Sequence, residues 1–330
     1  MKLTLSMLIC CTALLCSCGG HSIGTPAETY EVTFVLDGGG AGSSRATAVA
    51  DETALSEMCL YVFDAQGVLV EAVASTSASV VGNYAAGDYN VYALVNCGAG
   101  VTDFVTQADI GTAVRSLESQ VSDFSMYGSA GFAVPEVPVC TIPAVRMVSK
   151  VELRKVTVDF SSRPGLTDST LTIDAIYVIN ATGRSVLDEG RDYVPDLWLN
   201  QRGYVSGGAD GLLYDAVNVS VDDGCVYDTP HYYYCFQNDC VDDTHSPVWS
   251  PRHTRLVLDC TLAGRKTYYP IDIISPEGGL LRNRNYRINE LVITGFGTDG
   301  PDEPIVEVQS YRIAANVTDW EGTYTISEEF

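Results

Sequence analysis

Alternation of apolar and polar positions dominates the chain. Over residues 30–36, Tyr30, Val32, Phe34 and Leu36 share one face, the period of a half-buried strand. The run Cys59-Leu60-Tyr61-Val62-Phe63-Asp64 meets a turn at Ala65, Gln66 and Gly67, and Val68, Leu69 and Val70 return as the second arm of a hairpin. Gly87 and Asp88 turn into another strand over 89–96. Further strands are predicted over 148–160, which carries Lys150, Arg154 and Lys155, and over 171–179, 256–260, 268–274 and 286–294. The best helical segment of the first half is 102–119, broken near Gly111. Many short strands between Gly, Pro and Asp turns predict an all-β protein built from β-sandwiches. No repeat of fixed period is visible.

The two ends depart from this pattern. Lys2 precedes an apolar run that is too short to span a bilayer and reads as a secretory signal over 1–18. Its ending, Leu15-Cys16-Ser17-Cys18, resembles a bacterial lipobox, in which the last Cys is acylated, with palmitate among its chains, and becomes the N-terminus. Cys18 is therefore the predicted lipidation site; several acyl chains anchor stably where one is marginal. Gly19 and Gly20 follow in place of an acidic residue, which by the same analogy directs the product to the outer membrane. Residues 37–45 are Gly- and Ser-rich and predict a mobile, protease-accessible loop. Residues 298–304 read as a stiff acidic linker. Beyond it, 305–330 hold enough chain for two strands, with Ile313 and Trp320, but not for a domain.

About 310 residues follow the signal, more than one ordinary core takes up, so two domains are expected. A hydrophobic content of 46% argues against disorder. The net charge of −23 argues against nucleic acid as a partner, since phosphate binding needs clustered cations, and suits an exposed surface protein. Of 11 cysteines, four lie in the signal and seven (Cys59, Cys97, Cys140, Cys225, Cys235, Cys240 and Cys260) follow it. Export permits disulfides, and Cys225, Cys235 and Cys240 are the nearest to one another; the pairing is open.

Catalytic and cofactor motifs are missing from the sequence. His21, His231, His245 and His253 form no HExxH, and there is no GxSxG. The glycines of 38–42 lack the GK[ST] ending of a phosphate loop. Gly295-Phe296-Gly297-Thr298-Asp299-Gly300 matches GxGxxG, but Pro301 and Pro304 stand where the helix of a dinucleotide site would begin. The stretch 222–243 collects six aspartates with His231, yet with neither EF-hand nor CxxC spacing; a solvated loop is the simpler reading beside a calcium or zinc site. Tyr232, Tyr233 and Tyr234 form either a contact patch or a segment with one ring turned into the core. No enzyme activity and no cofactor are expected.

Arg45 changes the picture. Between the signal and Arg115 it is the sole basic residue, and it ends the loop after the first strand. With the lipobox, the strand 30–36 and this Arg in order, the chain resembles the fimbrillin family, the subunits of type V pili. The resemblance includes Leu60-Tyr61-Val62-Phe63-Asp64, Ala93-Leu94-Val95-Asn96 and the run 146–153. It is most specific from Asn285-Tyr286-Arg287-Ile288 through 293–298 and Pro304 to Val317-Thr318-Asp319-Trp320. It implies two transthyretin-like (Greek-key) β-sandwich domains with a C-terminal donor-strand appendage, divided as a propeptide over 19–45, sandwiches over 46–155 and 156–300, and linker and donor strands over 301–330. It implies a lipoprotein cut between Arg45 and Ala46 by an Arg-specific protease. Tyr30, Val32, Phe34 and Leu36 then belong to the displaced strand, and Ile305, Val306, Val308, Ile313, Val317 and Trp320 to the donor. The implied partners are copies of the chain, other pilus subunits, the outer membrane through the lipid, and host or bacterial surface receptors. The alternatives are a membrane-retained pilus anchor, a tip subunit, or a surface glycan-binding β-sandwich lipoprotein.

Physics agrees with such a role. Burying four large side chains of the first strand is worth about 6–12 kcal/mol, at about 1.5–3 kcal/mol each. Its removal opens an apolar groove edged by unpaired backbone groups, which a strand from another chain satisfies. Repeated head to tail, that contact makes an open filament.

Overall fold

Strands occupy most of the positions where the alternation predicts them. The computed structural model describes residues 28–37, 55–120, 123–190, 192–203, 212–240, 243, 248–303 and 311–319. The first half carries β1 (Thr29–Asp37), β2 (Met58–Asp64), β3 (Leu69–Ser75), β4 (Ser79–Ala85), β5 (Gly87–Val95), β6 (Val114–Ser116), β7 (Met126–Val134) and β8 (Val139–Arg146). The second carries β9 (Val148–Leu153), β10 (Val156–Val158), β11 (Thr170–Ile179), β12 (Ala181–Thr182), β13 (Arg184–Val186), β14 (Trp198–Leu199) and β15 (Tyr214–Asp222). It continues with β16 (Val226–Tyr227), β17 (His231–Phe236), β18 (Arg255–Leu262), β19 (Arg265–Asp272), β20 (Arg284–Ile293) and β21 (Tyr311–Asp319). The protein is all-β.

In the first half the strand order is β3-β2-β5-β7-β8-β1-β4. β8 pairs with β1 through 139–143 and with β7 through 144–146, so it passes from one layer to the other. The path thereby folds into two layers, β4-β1-β8 and β3-β2-β5-β7, facing each other across one apolar cluster that includes Val32, Phe34, Leu60, Val62, Val91, Phe132 and Ile142. The β2–β3 hairpin forms as the sequence predicts: Asp64 Oδ1 accepts from the backbone of Gln66 and Val68 and closes the turn. β2 is buried on both faces. Met58, Leu60 and Val62 enter the sandwich, while Cys59, Tyr61 and Phe63 enter a second cluster that continues through Ile110, Leu117 and Phe124 into the second half.

The second half begins at once after Met147. One sheet orders β16-β10-β20-β9-β17 with β21 on β20, and the other β15-β11-β18-β19. Apolar faces of both sheets, among them Val151, Val156, Ile173, Ile176, Leu258, Tyr269 and Leu291, fill the space between them.

Of the helix predicted over 102–119, the structure forms α1 (Gln107–Thr112) and a single 3-10 turn at Leu117–Ser119. Thr106 and Asp109 make a reciprocal capping box at the start of α1. It stops because Val114–Ser116 pairs with β13 as strand β6, a pairing between halves that local periodicity does not carry.

Candidate functional site

β1 is an interior strand of its layer. It runs antiparallel to β4, with Tyr30 opposite Tyr84, Val32 opposite Gly82 and Phe34 opposite Val80. It runs parallel to β8, with Phe34 opposite Cys140 and Leu36 opposite Ile142. Both backbone edges are thus satisfied, and the chain on either side of β1 is its only covalent tie. The four predicted side chains do turn inward, but unequally: Val32 is 1% exposed and Phe34 2%, whereas Tyr30 and Leu36 are half-buried at the rim. Phe34 sits in an aromatic socket, edge-on to Tyr84 at 5.8 Å and to Phe132 at 5.2 Å between centroids, an arrangement favoured by ring quadrupoles. Tyr89 stacks on Phe132 behind it. Cys140 lies buried beside Phe34 on the neighbouring strand, and burial raises its thiol pKa above the ordinary value.

The described part of the tail is β21, which lies antiparallel along the whole of β20, from Arg284 opposite Asp319 to Ile293 opposite Tyr311. Ile313 and Val317 pair there with Leu291 and Tyr286. β20 is held on its other edge by β9 and β10, while β21 pairs with β20 alone among the described residues. The two ends of the chain therefore contrast: one strand inserted between two neighbours, the other laid on an edge.

Between β20 and β21 the acidic linker is tied down. Thr298 exchanges backbone hydrogen bonds with Tyr268 at 2.8 and 3.0 Å, and Gly297 lies so close to that carbonyl that a Cβ would fall 2.0 Å from its oxygen. This close approach, not a phosphate, accounts for the glycine of the GxGxxG match. Further on, Asp302 is 9% exposed and accepts from Arg252 Nη1 at 2.7 Å, Arg255 Nη1 at 2.6 Å and Asn180 Nδ2 at 2.8 Å. Arg255 also donates to Asp272 at 2.6 Å and pairs with Asp243. Burial works against the charge of Arg255, but Asp272 and Asp243 outweigh it and raise its pKa. Sequence reasoning missed this hub, because Arg252 and Arg255 lie far from Asp302 along the chain and no local pattern links them.

Cys18, Arg45, Ala46, Ile305, Val306, Val308 and Trp320 lie outside the described residues. No disulfide joins the cysteines of the described residues; of the three cysteines nearest in sequence, Cys235 is buried in β17, Cys225 is exposed in the turn before β16 and Cys240 is half-buried. In the acidic stretch, His231 Nδ1 lies 2.6 Å from Asp215 Oδ2, and its Nε2 lies 2.8 Å from the Tyr227 hydroxyl. Among the described residues no three His, Cys, Asp or Glu side chains converge as a metal site. Tyr233 and Tyr234 are both buried, one more ring than the sequence reading placed in the core.

The architecture is similar to that of several solved proteins. One is a Bacteroides eggerthii protein described as a cell adhesion protein, at 18% identity and a TM-score of 0.65 over 91% of this chain and 98% of that one. Another is a fimbrilin, FimA, of Porphyromonas gingivalis, at 17% identity and 0.62 over 91% and 99%. A third is the tip fimbrial protein Mfa3 of Porphyromonas gingivalis with a C-terminal truncation, at 14% identity and 0.52 over 88% and 100%. Likeness at these identities, over nearly the full length of both chains, establishes a shared fold. No family model and no curated protein matches the chain.

Proposed function

We propose that this chain is a structural fimbrial subunit of the cell surface, exported as a lipoprotein through Cys18, cut between Arg45 and Ala46, and polymerised by strand exchange. It acts by assembly with copies of itself and other pilus subunits, not by catalysis. The observation that carries the reading is β1: an interior strand with partners on both sides and two fully buried anchors, Val32 and Phe34, followed in the sequence by the Gly- and Ser-rich segment that contains Arg45. Burial of those two anchors contributes about 3–6 kcal/mol, half of what four inward residues would supply, so a cut strand is held firmly yet remains displaceable. The shared fold with a fimbrilin supports the same reading.

In this scheme residues 19–45 leave as a propeptide. Sandwiches over 46–155 and 156–300 form the body, and 301–330 supply the donor. β21 is suited to leave, since it would give up one edge pairing and gain two on entering the vacated slot of a neighbour. A membrane-retained anchor, or a tip subunit, is the second reading; the tail after Pro304 argues against the tip variant.

The test is Arg45→Ala. The variant should fold and be exported but stay a lipidated monomer, while the wild type yields an N-terminus at Ala46 and filaments. Filaments of Arg45→Ala formed as efficiently as those of wild type would overturn the switch. Cys18→Ala should abolish membrane fractionation; unchanged fractionation would remove the lipoprotein step.

A further inference from the structure

Away from both strands, a cleft opens on the second half beside β12, β13 and β14. Its cavity is about 230 Å³. Val186 and Tyr193 line it and also line a neighbouring hollow of about 540 Å³ that reaches Thr112 and Val114 of the first half. We propose that this cleft binds a neutral carbohydrate, taking one hexose ring in the smaller cavity and continuing along the hollow.

The lining selects the class of ligand. Trp198 walls the cavity, and Trp249 braces it edge-on at 5.7 Å. An aromatic wall with a few convergent polar groups is the usual make-up of a small-ligand site, and the C–H face of a sugar ring matches the ring face while its hydroxyls need both donors and acceptors. Both are present. The carboxylates of Glu189 and Asp239 accept, and the Arg282 guanidinium forms the floor. Arg282 is fixed by the carbonyls of Leu187 at 2.8 Å and Val186 at 3.2 Å, so its position does not depend on a ligand. Thr182, also in the lining, is 1% exposed, and its hydroxyl has no hydrogen-bond partner among the described residues; a polar group left so is satisfied by a ligand or a trapped water. The rim residue Val194 is 84% exposed, an apolar group waiting at the mouth rather than packed in the body.

Charge narrows the class further. The two carboxylates, in a chain of net charge −23, oppose phosphate, sulfate and sialic acid. Arg282 at the floor and Arg184 at the wall oppose a lysine or arginine side chain inserted against the tryptophan. A neutral polyol uses both signs without paying for either. The inference goes beyond assembly, because a subunit that also carries such a cleft would display one receptor per copy along a filament.

Two of the three tryptophans stand at the cleft, so emission reports its occupancy. The uncut protein is titrated with glucose, galactose, mannose and N-acetylglucosamine, with sialic acid and tri-lysine as charged probes. At least one neutral sugar should give a saturable change, with a dissociation constant on the order of 1 mM, ordinary for a single small ring. Glu189→Gln, which keeps an amide near Arg282 where the carboxylate lies 3.8 Å from its Nε, and Asp239→Asn should leave the protein folded while weakening binding about tenfold, or about 1.4 kcal/mol. Trp198→Phe should shrink the signal. No saturable change with any neutral sugar, a response to sialic acid or tri-lysine alone, or binding that survives both carboxylate substitutions would overturn the proposal. The test uses the monomer, so failure of fimbrial assembly would not affect its outcome.

Discussion

Phe34 concentrates the energetics of the first strand. Its ring fills a socket made by Tyr84 and Phe132, so Phe34→Ala should cost about 3–5 kcal/mol by urea unfolding, whereas truncation of half-buried Leu36 should cost less. Equal losses at both positions would contradict the burial pattern. Cys140, opposite Phe34 and 3% exposed, offers a second readout. With Cys97, Cys225 and Cys240 each replaced by Ser, since all three are at least partly exposed, it should resist thiol reagents while β1 is in place and react once that strand has been removed. A Cys140 that labels equally in both states would show that β1 does not cover it. Alkaline pH reaches another part of the core. Burial raises the pKa of Tyr286 and Cys235, each to about 12. Because both are raised above their unfolded values of about 10 and about 8.5, the stability they contribute is fully present below about pH 8.5 and is lost as pH climbs through about 12. The urea midpoint should therefore hold level from neutral pH to about 8.5 and fall beyond it; a level midpoint up to pH 12 would refute the shifts.

Among elements, the linker and β21 behave differently despite adjoining in sequence. Asp302 balances Arg252 and Arg255, each 2% exposed. Asp302→Ala leaves two buried guanidinium groups short of a counter-charge, and breaking such a network costs about 3–5 kcal/mol. Removing 311–330 takes away one edge strand and leaves the hub intact. The truncated protein should therefore remain folded, with a smaller stability loss than Asp302→Ala, and should fail to polymerise. A truncation that unfolds the second half, or that assembles normally, would each count against the tail as a detachable donor. The hub holds Asp302 against the arginines of the second half. Sequence reading recognised the linker by its prolines and acids, which suggest solvent; the burial of its Asp302 arises from arginines on β18 and the segment before it.

For the whole molecule, net charge governs association. The full chain carries a net charge of −23, almost all of it beyond Arg45, so copies repel one another at low ionic strength, and raising salt from about 10 mM to about 150 mM shortens the screening length from about 30 to about 8 Å. Cut subunits should then assemble faster. Assembly that slows with salt would point instead to opposed charged patches steering the contact.

Local pattern alone determined much of this protein. Alternation with period two marks β1, because a strand that buries one face must alternate whatever its partners are, and apolar runs between turn residues mark the β2–β3 hairpin, β5, β11, β18, β19 and β20. The all-β class follows from that pattern. Tertiary structure decided the rest. It shortened the helix to Gln107–Thr112 because β13 recruits 114–116 as a strand. It placed β1 between β4 and β8 and not at an edge, buried Asp302 against two arginines, and gathered Trp198, Glu189, Asp239 and Arg282 around one cleft. These depend on contacts between residues distant in sequence, where the free energy lies in pairing and desolvation across elements and leaves no periodic trace along the chain.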